Sequence, residues 1–437
     1  VVTVQLPVFN ELYVVERLID AVAHLDYPKD KLEIQVLDDS TDESVEVAAR
    51  KIEEWKAKGI DIVHVRRPDR VGFKAGALAY GLKIAKGEFT AVFDADFVPK
   101  KQFLKATIPH FFTDPEIGVV QTKWEHLNED YSLLTQMQAF GLDAHFTVEQ
   151  KGRNLGGHFI NFNGTAGVWR NTCVDDAGGW QSDTITEDLD LSYRAQLKGW
   201  RFVYLEEFGS PAELPAEMMA LKNQQFRWTK GAAECAVKNL PKVIKERKIS
   251  LSTKLHAIFH LMNSFIFICV LCTALLSLPL LMIKQRLGEY ELLFQVASIY
   301  LLSFVILAFF YWVSRPVNMK GKGWKFLVNF PLFLSISMGL SLHNSVAVLE
   351  GYAGKKSPFI RTPKFAIKKG EGTWVDKKYR ALRTNPLTIL EGVLSLYFVT
   401  GVVLAFVLQE YGLLPFHIML SLGFGFVFFY SVKHTLA

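Results

Sequence analysis

Short apolar runs alternate with amphipathic stretches over the first 120 residues. Val1–Leu6, Glu33–Leu37, Ile60–Val65 and Phe89–Phe93 have the length and composition of buried strands. Between them, Glu11–Leu25, Ser44–Lys58 and Gly76–Lys86 carry helical periodicity, the last closed by Gly87. Strands alternating with helices predict an α/β unit, a mostly parallel sheet with helices on both faces. In such sheets ligands bind outside the carboxyl ends of the strands. Two of these strands end in paired acids, Asp38-Asp39 and Asp94-Ala95-Asp96, where a nucleotide site is expected.

The pattern changes after residue 250. Apolar stretches cover about 256–283, 291–313, 326–349, 386–408 and 413–431. The first, second, fourth and fifth are long enough to span a bilayer. The third contains Pro331, Gly339, His343 and Asn344, and its flanks decide its role. Arg315, Lys320, Lys322 and Lys325 precede it, and about ten basic residues against two acids fill 354–384. The positive-inside rule puts both flanks in the cytosol. Segment 324–353 is therefore read as interfacial or re-entrant, with a fifth span as the alternative. Four crossings return the carboxyl end to the cytosol, with short external links at 284–290 and 409–412.

Composition sharpens this division. Half of the 437 residues are apolar and 21% are charged, which excludes a disordered or collagen-like chain, and the apolar second part excludes a wholly soluble enzyme. The net charge of +5 comes from basic residues beside apolar segments, so it argues for a membrane and not for nucleic acid. Cys173, Cys235, Cys269 and Cys272 form no zinc array. Cys269 and Cys272 sit inside an apolar run and read as small residues of a membrane helix. Few cysteines suit a reduced, cytosolic catalytic part. The chain opens directly on a strand, so further sequence is expected upstream.

Several constellations carry candidate chemistry. Asp94 and Asp96, one residue apart on a turn, suit Mg²⁺ or Mn²⁺ bridging to a diphosphate, or are simply a solvated turn. Asp38-Asp39 carries the same two readings. In Thr186-Glu187-Asp188 a carboxylate can act as general base, or Thr186 can cap a helix with acids in its first turn. Gln224-Gln225-Phe226-Arg227-Trp228 offers an arginine for phosphate and a tryptophan for a sugar face, or an interfacial anchor. Asn163-Gly164-Thr165 lies in a small polar loop that lets a ligand approach the backbone, or is a tight turn. Lys74 precedes a helix and can meet a phosphate there, or is a surface lysine.

The order of these motifs, Asp-Asp, DxD, Thr-Glu-Asp and QxxRW followed by membrane spans, resembles the processive inverting family 2 glycosyltransferases, such as cellulose, chitin and hyaluronan synthases. The resemblance is closer to the cellulose-synthase-like A and C subfamilies, which make β-1,4-mannan or glucomannan and the glucan backbone of xyloglucan. It is carried by Ile34–Asp42, Phe93–Phe97, His145–Gln150 and Phe162–Arg170, and it covers roughly residues 1–370. It implies a GT-A-like nucleotide-binding domain over 1–210, interfacial helices over 211–254 and an all-α transmembrane channel region over 255–437. A gating-type loop is implied at 354–384.

By the same resemblance, Glu11, Asp38, Asp39, Lys74, Asp94, Gln224 and Arg227 bind the nucleotide sugar, and Asp96 binds the metal. Asp188, with Glu187 beside it, is the catalytic base. Trp228 and the Asn163-Gly164-Thr165 loop hold the acceptor. Phe359-Ile360-Arg361-Thr362-Pro363-Lys364 resembles a gating loop in which Phe-x-Val-Thr-x-Lys is usual. Phe359, Thr362 and Lys364 match, and Arg361 departs from it. The amino-terminal spans usual in that family are not found within this sequence, and regulation by a cyclic dinucleotide is not implied. The implied activity is a cytosol-facing polysaccharide synthase of a plasma, inner or Golgi-type membrane, using GDP-mannose or UDP-glucose with Mg²⁺ or Mn²⁺. A glycolipid-forming transferase resembling ceramide glucosyltransferase is the alternative, and a non-catalytic membrane scaffold is a third reading.

Overall fold

The computed structural model describes residues 1–286, 301–315, 323–357, 360–367, 372–380 and 385–436. Seven strands form one sheet: β1 (Val2–Val8), β2 (Leu32–Asp38), β3 (Ile62–Val65), β4 (Phe89–Val92), β5 (Ile117–His126), β6 (Gly167–Arg170) and β7 (Arg201–Ala212). Their order is β3-β2-β1-β4-β6-β5-β7. β1 pairs in parallel with β2 and β4, β2 with β3, and β5 with β7. Only β6 runs antiparallel to its neighbours β4 and β5. Val4, Leu6, Ile34, Val36 and Ala91 have no exposure, as strands covered on both faces require.

Helices α1 (Val15–Ala23), α2 (Ser44–Ala57) and α3 (Phe73–Leu82) follow the first three strands. The boundaries move where the backbone turns. α1 begins four residues later than its periodicity suggests, because Asn10 adopts φ 55° and residues 11–14 form a turn. α3 begins three residues earlier, directly after Gly72 at φ 74°. A helix α4 (Leu133–Ala144) starts at a capping box made by Ser132 and Thr135. It runs on through a π-helical turn, His145–Gln150, a feature often found beside functional sites. α5 (Glu187–Leu197) then leads to β7.

The 28-residue α6 (Met218–Lys245) joins the sheet domain to the membrane helices. Asp190 ties α5 to it: its carboxylate accepts from Asn239 Nδ2 at 2.9 Å and Lys238 Nζ at 3.0 Å. α7 (Leu251–Leu261) precedes α8 (Ile266–Arg286), and α9 (Leu301–Val313), α10 (Gly323–Gly339), α11 (Ser341–Tyr352), α12 (Pro386–Val407) and α13 (Leu414–Leu436) follow. Lys222 on α6 and Glu391 on α12 form an ion pair of 2.8 Å with both side chains fully buried.

Among the described residues, three helical stretches are long and apolar enough to cross a bilayer: Asn263–Ile283, Pro386–Val407 and Tyr411–Leu436. They correspond to the first, fourth and fifth apolar stretches of the sequence, and they are the helices of an integral membrane protein. Of the second, only Leu302–Val313 appears as an apolar helix, and 287–300 lie outside the described residues. The third forms α10 and α11, bent by 49° at a one-residue break. α10 crosses α13 in direct backbone contact: a Cβ on Gly423 would lie 1.8 Å from the Ser335 carbonyl, so only glycine fits.

Candidate active site

The carboxyl ends of β1, β2 and β4 open into one cleft, as the alternation of strands and helices predicts. β1 delivers Glu11 through the Phe9–Glu11 turn. β2 ends in Asp38 and Asp39, which differ in position. Asp39 lines the cleft and is held by Arg67, from Nε at 2.8 Å and Nη2 at 2.5 Å. Asp38 stands behind it, accepting from the Ser40 amide at 2.8 Å, with His64 Nε2 at 2.8 Å. Burial opposes its charge, but the His64 and Ser40 hydrogen bonds hold its carboxyl below the usual range. Asp38 therefore shapes the wall.

β4 supplies Asp94 and Asp96, both in the cleft. Each meets a lysine. Lys74 Nζ lies 2.5 Å from Asp94 Oδ1, and Lys364 Nζ 2.7 Å from Asp96 Oδ2. Thr165 is fully buried behind them, and its Oγ1 accepts from the Asp94 amide at 2.9 Å. Among the described residues no cluster of three or more His, Cys, Asp or Glu side chains surrounds a single point. Two carboxylates on one turn nevertheless fit Mg²⁺ or Mn²⁺, which bind through one or two carboxylates and complete their shells with phosphate oxygens and water.

The first turn of α5 brings Glu187 and Asp188 to the opposite side. Lys74 connects the two acidic groups: it also donates to the Gly164 carbonyl at 2.8 Å and acts electrostatically on Glu187 and Asp188. Burial pushes Asp188 up to about 6, and Lys74 opposes the rise. Burial, and then Asp188 itself, push Glu187 up in the same way. Gly164 has φ 78°, and a Cβ there would stand 2.9 Å from Asp188 Oδ2. The loop that carries Asn163 thus packs directly on the acid.

α6 closes the cleft with Gln224, Arg227 and Trp228. Arg227 Nη2 donates to Thr362 Oγ1 at 2.8 Å, and Trp228 lies 6.4 Å from Trp124, ring centre to ring centre. Thr362 and Lys364 belong to the segment 360–367, which reaches the cleft from beyond α11. Phe359 lies outside the described residues. Four further residues line or shape the cleft without having been singled out by motif: Phe9, Arg67, Arg70 and Trp124. No motif marks Arg67 or Arg70, and nothing near Trp124 signals that β5 ends at the cleft.

Acids that can hold a cation, an arginine that can grip phosphate and a half-buried carboxylate beside an aromatic platform are thus assembled from segments far apart in the chain. Residues 2–231 match the family described as glycosyltransferase like family 2. The chain is 37% identical over 379 residues, 83% of its length and 69% of the relative's, to glucomannan 4-beta-mannosyltransferase 1 of Oryza sativa subsp. japonica. It is 36% identical over 376 residues, 83% of this chain and 67% of the relative, to glucomannan 4-beta-mannosyltransferase 2 of Arabidopsis thaliana. The chain belongs to glycosyltransferase family 2.

This glycosyltransferase also shares its fold with the mannosyltransferase PcManGT from Pyrobaculum calidifontis, solved in complex with GDP-Man and Mn²⁺. The TM-score is 0.52 at 20% identity, covering 81% of this chain and 88% of that one. The mostly parallel GT-A-type sheet expected from the sequence is therefore the fold of this transferase. Its cleft lies between the sheet ends and α6, the helix that continues toward the membrane region.

Proposed function

We propose that this family 2 glycosyltransferase polymerises a β-1,4-linked mannan or glucomannan from GDP-mannose and feeds it into its membrane helices. The observation that carries the reading is the identity to glucomannan 4-beta-mannosyltransferases over 379 residues, which reaches past the sheet domain. The cleft faces the cytosol in this reading, where nucleotide sugars are made, and the bent α10–α11 pair lies at the bilayer surface. The domain limits are 1–210 for the transferase, 211–254 for the interfacial helices and 255–437 for the channel region.

The chemistry follows from the residues present. Glu11 and Asp39 border the nucleoside, and Arg227 and Gln224 take the diphosphate. Arg227 can grip phosphate oxygens bidentately. Asp96, beside Asp94, would hold a divalent cation, which would supply positive charge against the departing diphosphate. Trp228, Asn163 and Gly164 hold the terminal sugar of the acceptor, and Thr165, buried behind them, braces the Asp94 turn instead. Asp188, ionised above about pH 6, takes the proton from the attacking hydroxyl at its carboxylate. The hydroxyl oxygen bonds the anomeric carbon as the bond to the diphosphate breaks, and an α-linked donor becomes a β-linked product.

A donor screen tests this. Membranes containing the protein should incorporate mannose from GDP-mannose into polymer. Incorporation from UDP-glucose alone would make it a glucan synthase, and a single-sugar lipid product would make it a glycolipid transferase.

A further inference from the structure

One end of the cleft holds a cation that this mechanism leaves unused. Asp188 and Trp228 mark the acceptor end, and Asp94, Asp96 and Arg227 the diphosphate region. Phe9, Asp39, Arg70 and Arg361 also line the cleft, near one another, and a nucleoside is what remains to be placed. Asp39 is engaged twice by Arg67. The Arg70 guanidinium lies 3.3 Å over the Phe9 ring.

Arg361 comes from a segment that is firmly seated. Lys364 pairs with Asp96 at 2.7 Å, the Phe365 amide donates to Glu213 Oε1 at 2.8 Å, and Phe365 and Ile367 are buried. Among the described residues, the hydrogen bonds and ion pair of Arg361 run through Nη1: Glu11 Oε2 at 3.0 Å, the Phe9 carbonyl at 3.2 Å and the Asn10 carbonyl. The Tyr379 ring covers the guanidinium at 4.5 Å. Nη2 is buried and has no acceptor among the described residues. A buried donor left unpaired is costly, so an acceptor brought by a ligand would relieve it.

The nucleobase can bring one. Guanine presents two adjacent acceptors, O6 and N7, which an arginine fork meets bidentately. Adenine sets an amino donor beside N7, and uracil's two carbonyls flank an N–H. We propose that Arg361 selects a guanine nucleotide, donating from its Nη2 edge to O6 and N7 while Nη1 stays on the Phe9–Glu11 turn. This rests on the GDP-mannose reading above and names the residue behind it.

The test is equilibrium binding of GDP, UDP and ADP to the full chain in lipid nanodiscs. Wild type should prefer GDP over the other two by about tenfold or more. Arg361→Ala should weaken GDP by about tenfold while UDP and ADP change by less than about threefold. Arg361→Lys keeps a cation beside Glu11 but lacks the fork, so it should also lose the guanine preference while binding UDP as before. Unchanged GDP binding, an equal fall for all three nucleotides in both variants, or a wild type that prefers UDP would overturn the assignment. Mannose transfer by wild type from GDP-mannose is scored separately: it upholds the activity whatever Arg361 does, and its absence counts against the activity itself.

Discussion

Asp188 works in a crowded electrostatic setting. It is half-buried beside Glu187, Asp94 lies near, and Lys74 is the cation that keeps the group chargeable. Asp188→Asn removes the base while preserving shape. It should lower transfer by about 10²–10⁴-fold, with GDP binding kept, as read by single-turnover assay and equilibrium titration. Because the base acts as a carboxylate and burial raises it to about 6, the rate should fall as pH drops through about 6. Lys74→Met removes the opposing cation, so this acid limb should move to higher pH in the rate profile. The contiguous motifs, DxD, Thr-Glu-Asp and QxxRW, are visible in sequence because each brings its chemistry within a few residues. Arg67 on Asp39 and Trp124 beside Trp228 are not, because each acquires its meaning only across a fold contact.

At the scale of elements, the early strands are legible since parallel strands are apolar on both faces and bounded by turns. β5 and β7 are not. The second half of β5, Lys123–His126, is polar and only partly buried, and the β5–β7 register shifts between Thr122 and Lys123. The bend between α10 and α11 suits a re-entrant segment and a broken span alike, and its membrane placement is part of the proposal. Gly164→Ala tests the packing of a loop on the base: the positive φ and the 2.9 Å approach to Asp188 leave no room for a methyl group. Transfer should drop sharply while GDP binding changes little, measured on the same preparation. Gly423→Ala tests the α10–α13 crossing. Its Cβ would push into the Ser335 carbonyl, and a loss of about 1–3 kcal/mol is expected, seen as a lower melting temperature in detergent.

For the whole molecule, α6 is the connection between chemistry and membrane. Trp228 lies in the cleft, and six residues earlier, roughly 9 Å along the helix, Lys222 is buried against Glu391 of α12. Lys222→Met leaves that acid unpaired and should cost about 3–5 kcal/mol, whereas Lys222→Met with Glu391→Leu should recover most of it. Thermal unfolding of both variants in nanodiscs decides this. Composition and hydropathy reveal that a membrane region exists; the buried Lys222–Glu391 pair, which joins an apolar cluster and the Lys230–Glu350 pair in docking it on the transferase, is announced by no sequence pattern.

The central claim is that the acids of this cleft build a β-linked chain of sugars beside a membrane conduit. It is tested most directly by supplying radiolabelled GDP-mannose to proteoliposomes holding wild type or Asp188→Asn and determining the size and linkage of the product. The account predicts a long, 4-linked mannose polymer from wild type and at least about 10²-fold less polymer from the variant. A product one sugar long, or equal polymer from both proteins, would contradict it.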